Sequence, residues 1–489
     1  MSKVFFHPDI NYQDIKKLES QYNSKSKNYL AKKASIFISE ELYKFIDNKK
    51  KVLFVCGPGF NGLDGIFVAS NLYDKKYNVK ILIIKDNLHK EYISKYNLSD
   101  IIIKNNIDFN DFDYIVDCIF GYGLNRKLTD TVSDLISTIN LSSAYIISID
   151  VPSGLESSTG KLLPISINCN LLITLLTYKR GMFTYQGRDT WKKISYNRLI
   201  TQNIYSNNYL LTANKELNDS SKNDIKFLDY KSKHKYSSHK KSNGISCIIA
   251  GEYPYHGALI MSCSAAMKTG CKYLHAITQS EYAHTLPIII PEIISTSFSV
   301  CNFEENITDY SNVLIGPGIT SKGEEFVEIA LDNLNILNSL VIDAGGLIHL
   351  NKDKKYSDKL IITPHPGEAA KMLGVTVADI QADRYKSVIE LYNLYNCIVI
   401  LKGSGTIIYD GKNIYTCMDG NYKMSVAGMG DILSGILLSE LSSPMNNLDA
   451  CIKSVVYHSY ACDYLLKYSK NKNIQPTSVP DIYSELTTL

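Results

Sequence analysis

Val52-Leu-Phe-Val-Cys-Gly57-Pro58-Gly59-Phe60-Asn61-Gly62-Leu63-Asp64-Gly65 is an apolar run that breaks at a cluster of glycines and continues as an amphipathic stretch. A short apolar run bounded by Gly and Pro reads as a buried parallel strand. The glycines let the backbone come close to an anion or to another strand end, and a following helix presents free N–H groups at its start. The segment is neither G-x-G-x-x-G nor a Walker A loop, because no Lys-Ser/Thr pair follows. Alone it predicts a strand–turn–helix unit, which a plain structural turn would also explain.

Outward from this segment the same rhythm recurs. Apolar runs at Lys51–Cys56, 79–84, 114–117 and 145–150 alternate with helix-like stretches such as 65–75. The alternation predicts an α/β fold, an N-terminal Rossmann-like three-layer αβα domain. The rhythm stops near Ile204, and residues 205–243 are rich in Asn, Ser, Lys and Tyr, a linker composition. It resumes at 245–250 and continues through 313–315, 340–343, 360–363 and 397–402. Two α/β domains are therefore expected, residues 1–215 and 225–489, with no internal repeat relating them.

Composition narrows the class. The 489 residues are 45% hydrophobic and 21% charged, with a net charge of +3, and the charges are interspersed rather than clustered, which argues against a nucleic-acid partner. Eleven cysteines show neither C-x-x-C nor zinc spacing, so they read as free thiols of a reducing compartment. The N-terminus MSKVFFHPDINYQDIKK lacks the pattern of a secretory signal, and no apolar stretch approaches the ~18 residues of a membrane span. A soluble, cytoplasmic protein without a membrane partner is expected.

Two further strand ends in the first half carry polar groups. Asp117 precedes Gly121-Tyr122-Gly123-Leu124-Asn125-Arg126-Lys127, and Asp150 precedes Pro152, Ser153 and Gly154. Open α/β sheets bind ligands at the carboxyl ends of their strands, so these loops should meet Gly57–Gly65 in one crevice. In the second half, Ser425-Val426-Ala427-Gly428-Met429-Gly430-Asp431 is a Gly-rich turn immediately before a helix, suited to an anion. An Asp in that first turn can take a proton from a hydroxyl as a phosphoryl group arrives. Lys402-Gly403-Ser404-Gly405-Thr406 offers a cation and a bend to phosphates, and two prolines hold His365 in Thr363-Pro364-His365-Pro366-Gly367-Glu368.

Residues 40–200 resemble NAD(P)H-hydrate epimerases, with Lys179-Arg180-Gly181 as a fourth matching segment. The resemblance implies that Phe60, Asn61, Gly62, Leu63 and Asp64, together with Gly121 to Lys127 and Asp150, line a hydrated-nucleotide site. It also implies a potassium ion on Asn61, Asp117 and Ser153. Asp150 with Lys179 is the candidate proton shuttle. The family usually has Asn-Asn-Gly-Gly-Asp-Gly where this chain has Phe60-Asn61-Gly62-Leu63-Asp64-Gly65. It usually has Glu-Asn-Ala-Gly where this chain has Lys32-Lys33-Ala34-Ser35.

Residues 225–485 resemble ADP- or ATP-dependent NAD(P)H-hydrate dehydratases of the ribokinase-like superfamily. Further matches are His239-Lys240-Lys241 with Asn243-Gly244, then Ala250-Gly251, Gly257-Ala258, Gly270, Pro291-Glu292, Gly316-Pro317-Gly318 and Asp343-Ala344. That resemblance implies that Ala258, Gly318, His365 and Asp431 contact the hydrated nucleotide. Lys402 through Thr406 and Gly430 would contact ADP or ATP with Mg2+, and Asp431 would act as base. The family's Asp-Ala-Asp is here Asp343-Ala344-Gly345. The expected partners are small molecules, NADHX or NADPHX and ADP or ATP, with a homo-oligomer left open. The alternative is a vitamin or sugar kinase of the same superfamily carrying a non-catalytic N-terminal binding domain.

Overall fold

The computed structural model describes residues 3–23, 29–85, 89–104, 107–200, 204, 206–217, 226–229, 244–470 and 472–488. His239, Lys240, Lys241 and Asn243 lie outside the described residues.

The N-terminal unit holds a seven-stranded, all-parallel sheet. From edge to edge its strands are Ile102–Ile103, Asn78–Ile83, Lys51–Cys56, Tyr114–Cys118, Tyr145–Ile149, Cys169–Leu175 and Trp191–Asn197. Chain order runs outward to one side of Lys51–Cys56 and then restarts on its other side. The switch point therefore lies between Lys51–Cys56 and Tyr114–Cys118, where a crevice opens at the carboxyl ends. Gly57 follows directly, and a Cβ there would sit 1.9 Å from the Ile119 carbonyl oxygen. Only glycine lets these two strand ends approach so closely. The helix Phe60–Asp74 then packs its apolar side chains, Ile66, Val68 and Leu72 among them, into the core beside Phe54 and Val116.

The C-terminal unit is built on a twelve-stranded sheet. Its parallel centre runs Ile398–Leu401, Leu360–Ile362, Ser339–Ile342, Tyr310–Ile315, Ile245–Ile249, Leu274–Thr278 and Ile294–Ser297. Here the switch point falls between Tyr310–Ile315 and Ile245–Ile249. Two apolar clusters cover the two faces of this sheet, which accounts for strands that are apolar on both sides. One cluster rests on the helix Met429–Leu441, packed so tightly that a Cβ on Gly435 would lie 2.2 Å from the Ser262 carbonyl oxygen.

The chain does not divide at a single cut between 215 and 225. Lys3–Phe6 and Tyr209–Leu217 belong to the compact unit formed by the C-terminal part of the chain, and His7–Asn208 forms the other. Beyond Ile398–Leu401 the sheet continues through Ile407–Tyr409, Ile414–Cys417, Asn208–Thr212, Lys3–Asp9 and Lys226–Asp229. Residues with a linker composition thus include two strands. The reason is local: Leu210 and Leu211 are fully buried, as is Val4, although polar neighbours dilute the apolar signal.

Phe6 is buried in this sheet, edge-on to Tyr209 at 5.5 Å and to Tyr415 at 6.3 Å between ring centroids. Phe6→Ala should lower the stability of the C-terminal unit by about 3 kcal/mol. The check is thermal inactivation of the activity housed in that unit, which should occur at a lower temperature although the substitution lies at the opposite end of the chain. An unchanged inactivation temperature would show that the strand is dispensable.

Candidate active sites

In the N-terminal unit, Asp117 is the last residue but one of Tyr114–Cys118 and is fully buried. It accepts hydrogen bonds from Ser153 Oγ at 2.6 Å, Ser153 N at 2.9 Å, Ser148 Oγ at 2.8 Å and Ile119 N at 3.1 Å. Burial nevertheless raises its pKa, against the pull of those donors. Asn61, in the first turn of Phe60–Asp74, donates to the Phe120 and Ile149 carbonyls at 2.9 and 3.2 Å. Its Oδ1 is buried without a hydrogen-bond partner. The Ser153 hydroxyl in turn accepts from Phe120 N at 2.9 Å. An orphaned amide oxygen among carbonyl, hydroxyl and carboxylate oxygens is a donor set that suits a hard cation.

Asp150 follows Tyr145–Ile149 with φ at +69°, a left-handed conformation uncommon for a residue other than glycine. This aims one carboxyl oxygen at the Tyr122 N–H, 2.9 Å away, and the other at the Lys179 ammonium, in a buried ion pair. Lys179 also donates to Leu175 O at 2.8 Å and Thr174 Oγ1 at 3.2 Å. The structure therefore joins Asp150 and Lys179 directly. Gly121 fits between them and Asn61, since a Cβ there would lie 2.9 Å from Asp150 Oδ2. Asp64 is close enough to Asp150 that burial first, and then the Asp150 and Glu19 charges, push its carboxyl well above the usual range.

Phe60 is 69% exposed and turns outward, whereas Leu63 is buried within the helix in right-handed backbone. The substitution of Leu63 into the loop therefore carries no left-handed strain. Asn125, Arg126 and Lys127 are exposed at the rim and Leu124 is buried. Ala34 and Ser35 are buried and Lys33 donates to Leu199 O at 3.1 Å.

Glu19, which carries no local signal in the sequence, also reaches this site. It lies on the helix Tyr12–Asn23 and accepts from the Tyr122 hydroxyl at 2.6 Å. The Lys179 ammonium stands 5.9 Å from the Tyr122 ring centre. Burial raises the pKa of Glu19, more than its hydrogen bond with Tyr122 lowers it. Burial and Glu19 together push the Tyr122 phenol well above its ordinary value. Glu19→Gln should slow turnover at this site by roughly tenfold, less than the roughly 10²–10⁴-fold that loss of a direct proton-transfer group costs, because Glu19 acts through the Tyr122 hydroxyl. Steady-state rates of the reaction at this site check this, and a rate within twofold of wild type would remove Glu19 from the network.

In the C-terminal unit, Asp343 follows Ser339–Ile342 and Lys402 follows Ile398–Leu401. Their side chains form an ion pair at 2.5 Å, and Ser434 donates to the second Asp343 oxygen. Burial would raise the Asp343 pKa, but Lys402 and Ser434 outweigh it and hold the carboxyl below its ordinary value. Lys402 thus spends its charge first on Asp343 rather than standing free in the loop. Its Nζ still lies beneath the anion turn, 3.5 Å from where a Gly430 Cβ would be.

Gly428 caps the helix Met429–Leu441 with φ at +90°. That left-handed backbone favours glycine, and a Cβ at Gly428 would also press on Met261 Sδ at 2.3 Å. Asp431 sits in the first helical turn. Burial, helped by the Asp343 and Glu368 charges and opposed by Lys402, pushes its carboxyl up to about 6. A carboxylate tuned to that range is a competent general base near neutral pH.

His365 caps the helix Pro366–Leu373. Its Nδ1 accepts from Gly367 N at 2.9 Å and Glu368 N at 3.2 Å, and Glu368 returns a bond to His365 N at 2.7 Å. The ring is 56% exposed and its Nε2 faces Glu368 at 3.3 Å. Ala258 and Gly318 adjoin, since a Gly318 Cβ would stand 3.2 Å from that of Ala258. Glu252, which the sequence reading passed over, clamps the neighbouring loop by accepting from Thr320 N at 2.8 Å and Ser321 Oγ at 3.0 Å. Its place one residue past Gly251 at a strand end was a usable signal. At Gly345, where the family has Asp, a Cβ would meet the Ile319 carbonyl oxygen at 1.7 Å.

Comparison with known proteins bears on both sites. Residues 246–484 match the family described as NAD(P)H-hydrate dehydratase, and residues 27–181 match the family described as YjeF-related protein N-terminus. The chain is 32% identical over 362 residues to the bifunctional NAD(P)H-hydrate repair enzyme Nnr of Vibrio cholerae, covering 72% of this chain and 70% of that one. It is 29% identical over 447 residues to the Escherichia coli enzyme of the same name, covering 89% and 84%. Among solved structures it is similar to the ADP/ATP-dependent NAD(P)H-hydrate dehydratase of Bacillus subtilis, co-crystallised with ATP/Mg2+. That similarity has 24% identity and a TM-score of 0.46, over 53% of this chain and 93% of the other. Each half is matched by a family of its own, and the chain belongs to the family of bifunctional NAD(P)H-hydrate repair enzymes.

Proposed function

We propose that the N-terminal site interconverts the epimers of NADH and NADPH hydrates, and that the C-terminal site dehydrates the S epimer at the expense of ADP or ATP. The observation that carries the reading is Asp431, a carboxylate raised to about 6 in the first turn of a glycine-capped helix, above the Lys402–Asp343 pair. Asp431 takes the proton of the hydrate hydroxyl as its oxygen attacks the terminal phosphorus, and AMP or ADP departs. The backbone N–H groups of Ala427 to Gly430 stabilise the transferring group. The phosphate ester then leaves as inorganic phosphate, and loss of a ring proton restores the dihydropyridine. Ala258, Gly318 and His365 hold the hydrate, and Lys402 to Thr406 with Gly430 hold the nucleotide. Mg2+ belongs here as the nucleotide's own counterion. Among the described residues no three His, Cys, Asp or Glu side chains gather to hold a metal by themselves.

In the N-terminal site, Phe60 to Asp64 and Gly121 to Lys127 line the pocket, and the Asp150–Lys179 pair moves the proton that inversion of the hydroxyl-bearing carbon requires. Potassium would be held by Asn61, Asp117 and Ser153, supplying positive charge beside the nucleotide loop. All eleven cysteines are free, which supports a cytoplasmic setting. Among the described residues no helix is long and apolar enough to cross a membrane. The discriminating experiment is product analysis with the S hydrate. Inorganic phosphate should appear in step with NADH, whereas a stable phosphorylated product would establish the kinase alternative.

A further inference from the structure

Arg384 opens the helix Arg384–Tyr395 and is fully buried. Buried arginines are ordinarily paired with carboxylates. Here, among the described residues, the guanidinium meets carbonyls. Nη2 donates to Leu401 O at 3.1 Å, Lys402 O at 3.2 Å and Gly405 O at 3.3 Å. Nε and Nη1 have no hydrogen-bond partner. Burial brings the pKa down to about 10, so the group still carries its charge at neutral pH.

The turn above it is shaped to this cation. Gly403 and Gly405 take φ values of +136° and +65°, and a Cβ on Gly403 would stand 2.4 Å from Nη1. The Gly403 carbonyl is also engaged, by Thr406 Oγ1 at 3.2 Å. The carbonyls of residues 401, 402, 403 and 405 are therefore all spoken for. An anion approaching the opposite side of the turn meets none of these oxygens unpaired, and a positive charge lies one backbone thickness behind Gly403.

We propose that Arg384 is the positioning residue of the nucleotide loop. It draws the carbonyls inward and places behind the Gly403 backbone a buried positive charge that the phosphates of a nucleoside di- or triphosphate compensate. This rests on the assignment of Lys402–Thr406 to the nucleotide. Lys keeps the charge but loses the fork, and Met loses both.

The test uses the full chain with Arg384→Lys and Arg384→Met, measuring KM for ADP, ATP and the S hydrate, with calorimetric binding of ADP. Arg384→Lys should raise the nucleotide KM by about tenfold and Arg384→Met by about a hundredfold, one and two steps of 1.4 kcal/mol. The hydrate KM should move by less than twofold and kcat much less than the nucleotide KM. A role confined to holding the fold together would instead lower stability while leaving the nucleotide KM in place, or raise both KM values alike, and either result overturns the proposal. If Arg384→Met does not fold, Arg384→Lys decides alone, and an unchanged nucleotide KM in it is contrary. A wild-type chain that binds the hydrate but no ADP or ATP would overturn the nucleotide assignment and this proposal together. Intact ADP binding with unshifted variants would overturn only the role of Arg384.

Discussion

Asp431→Asn is expected to reduce dehydration of the S hydrate by 10²–10⁴-fold, the range for loss of a positioned base. Asparagine keeps the shape of the side chain, so the glycine turn and the Lys402–Asp343 pair beneath it should stay in place. Nucleotide affinity should change little, and the loss should fall on kcat. In the wild type the rate should decline as pH falls through about 6, because protonation removes the base. The same shift fixes the sign for stability. The folded pKa lies above the ordinary 3.8, so the stability gained from the protonated form is present below about pH 4 and lost as pH rises through about 6. The variant carries no charge there, so at pH 8 it should be at least as stable as the wild type. Melting temperature and kcat measured on the same samples separate the two effects. Activity within threefold of wild type would remove Asp431 from the reaction.

The second large effect concerns Asp150. Its left-handed backbone, its bond from Tyr122 N and its ion pair with Lys179 fix the carboxylate in one direction. Asp150→Asn removes the charge but retains an acceptor for Tyr122 N. Lys179 is then left buried with its hydroxyl and carbonyl partners and no counter-charge, a costly arrangement. Epimerisation should fall by at least 10²-fold, while the dehydratase rate on the pure S epimer is unaffected. Lys179→Met should lose epimerase activity to a similar extent. If either variant epimerises at the wild-type rate, the proton shuttle lies elsewhere, and the Glu19–Tyr122 pair becomes the first candidate.

What the sequence made legible follows from distance along the chain. Asp117, Asp150, Asp343 and Lys402 sit at or just past the ends of apolar strands, so strand periodicity alone places them at the sheet's carboxyl edge. Gly57 and Gly428 declare themselves because each stands in a Gly-rich break just before a helix-like stretch. Glu19 and Arg384 were illegible for the opposite reason. Each stands on a helix of ordinary composition and acquires its role from a partner that folding brings across, Tyr122 in one case and the loop carbonyls of 401–405 in the other. The strands Lys3–Asp9 and Asn208–Thr212 were hidden by His7, Pro8 and the asparagines around Tyr209, which flank or interrupt short buried runs. The effect of the Phe60 and Leu63 departures could not be settled from spacing. In the structure one side chain faces outward and the other packs inside a regular helix.

The decisive measurement is recovery of NADH absorbance from a mixture of R and S NADH hydrates incubated with the full chain, potassium, Mg2+ and either ADP or ATP. Complete recovery is expected, with inorganic phosphate released in step. With Asp150→Asn, recovery should stop at the S fraction and then creep forward at the spontaneous rate of epimerisation. No recovery with either nucleotide would contradict the assignment of the C-terminal site. Recovery by the wild type that halts at the S fraction would contradict that of the N-terminal site.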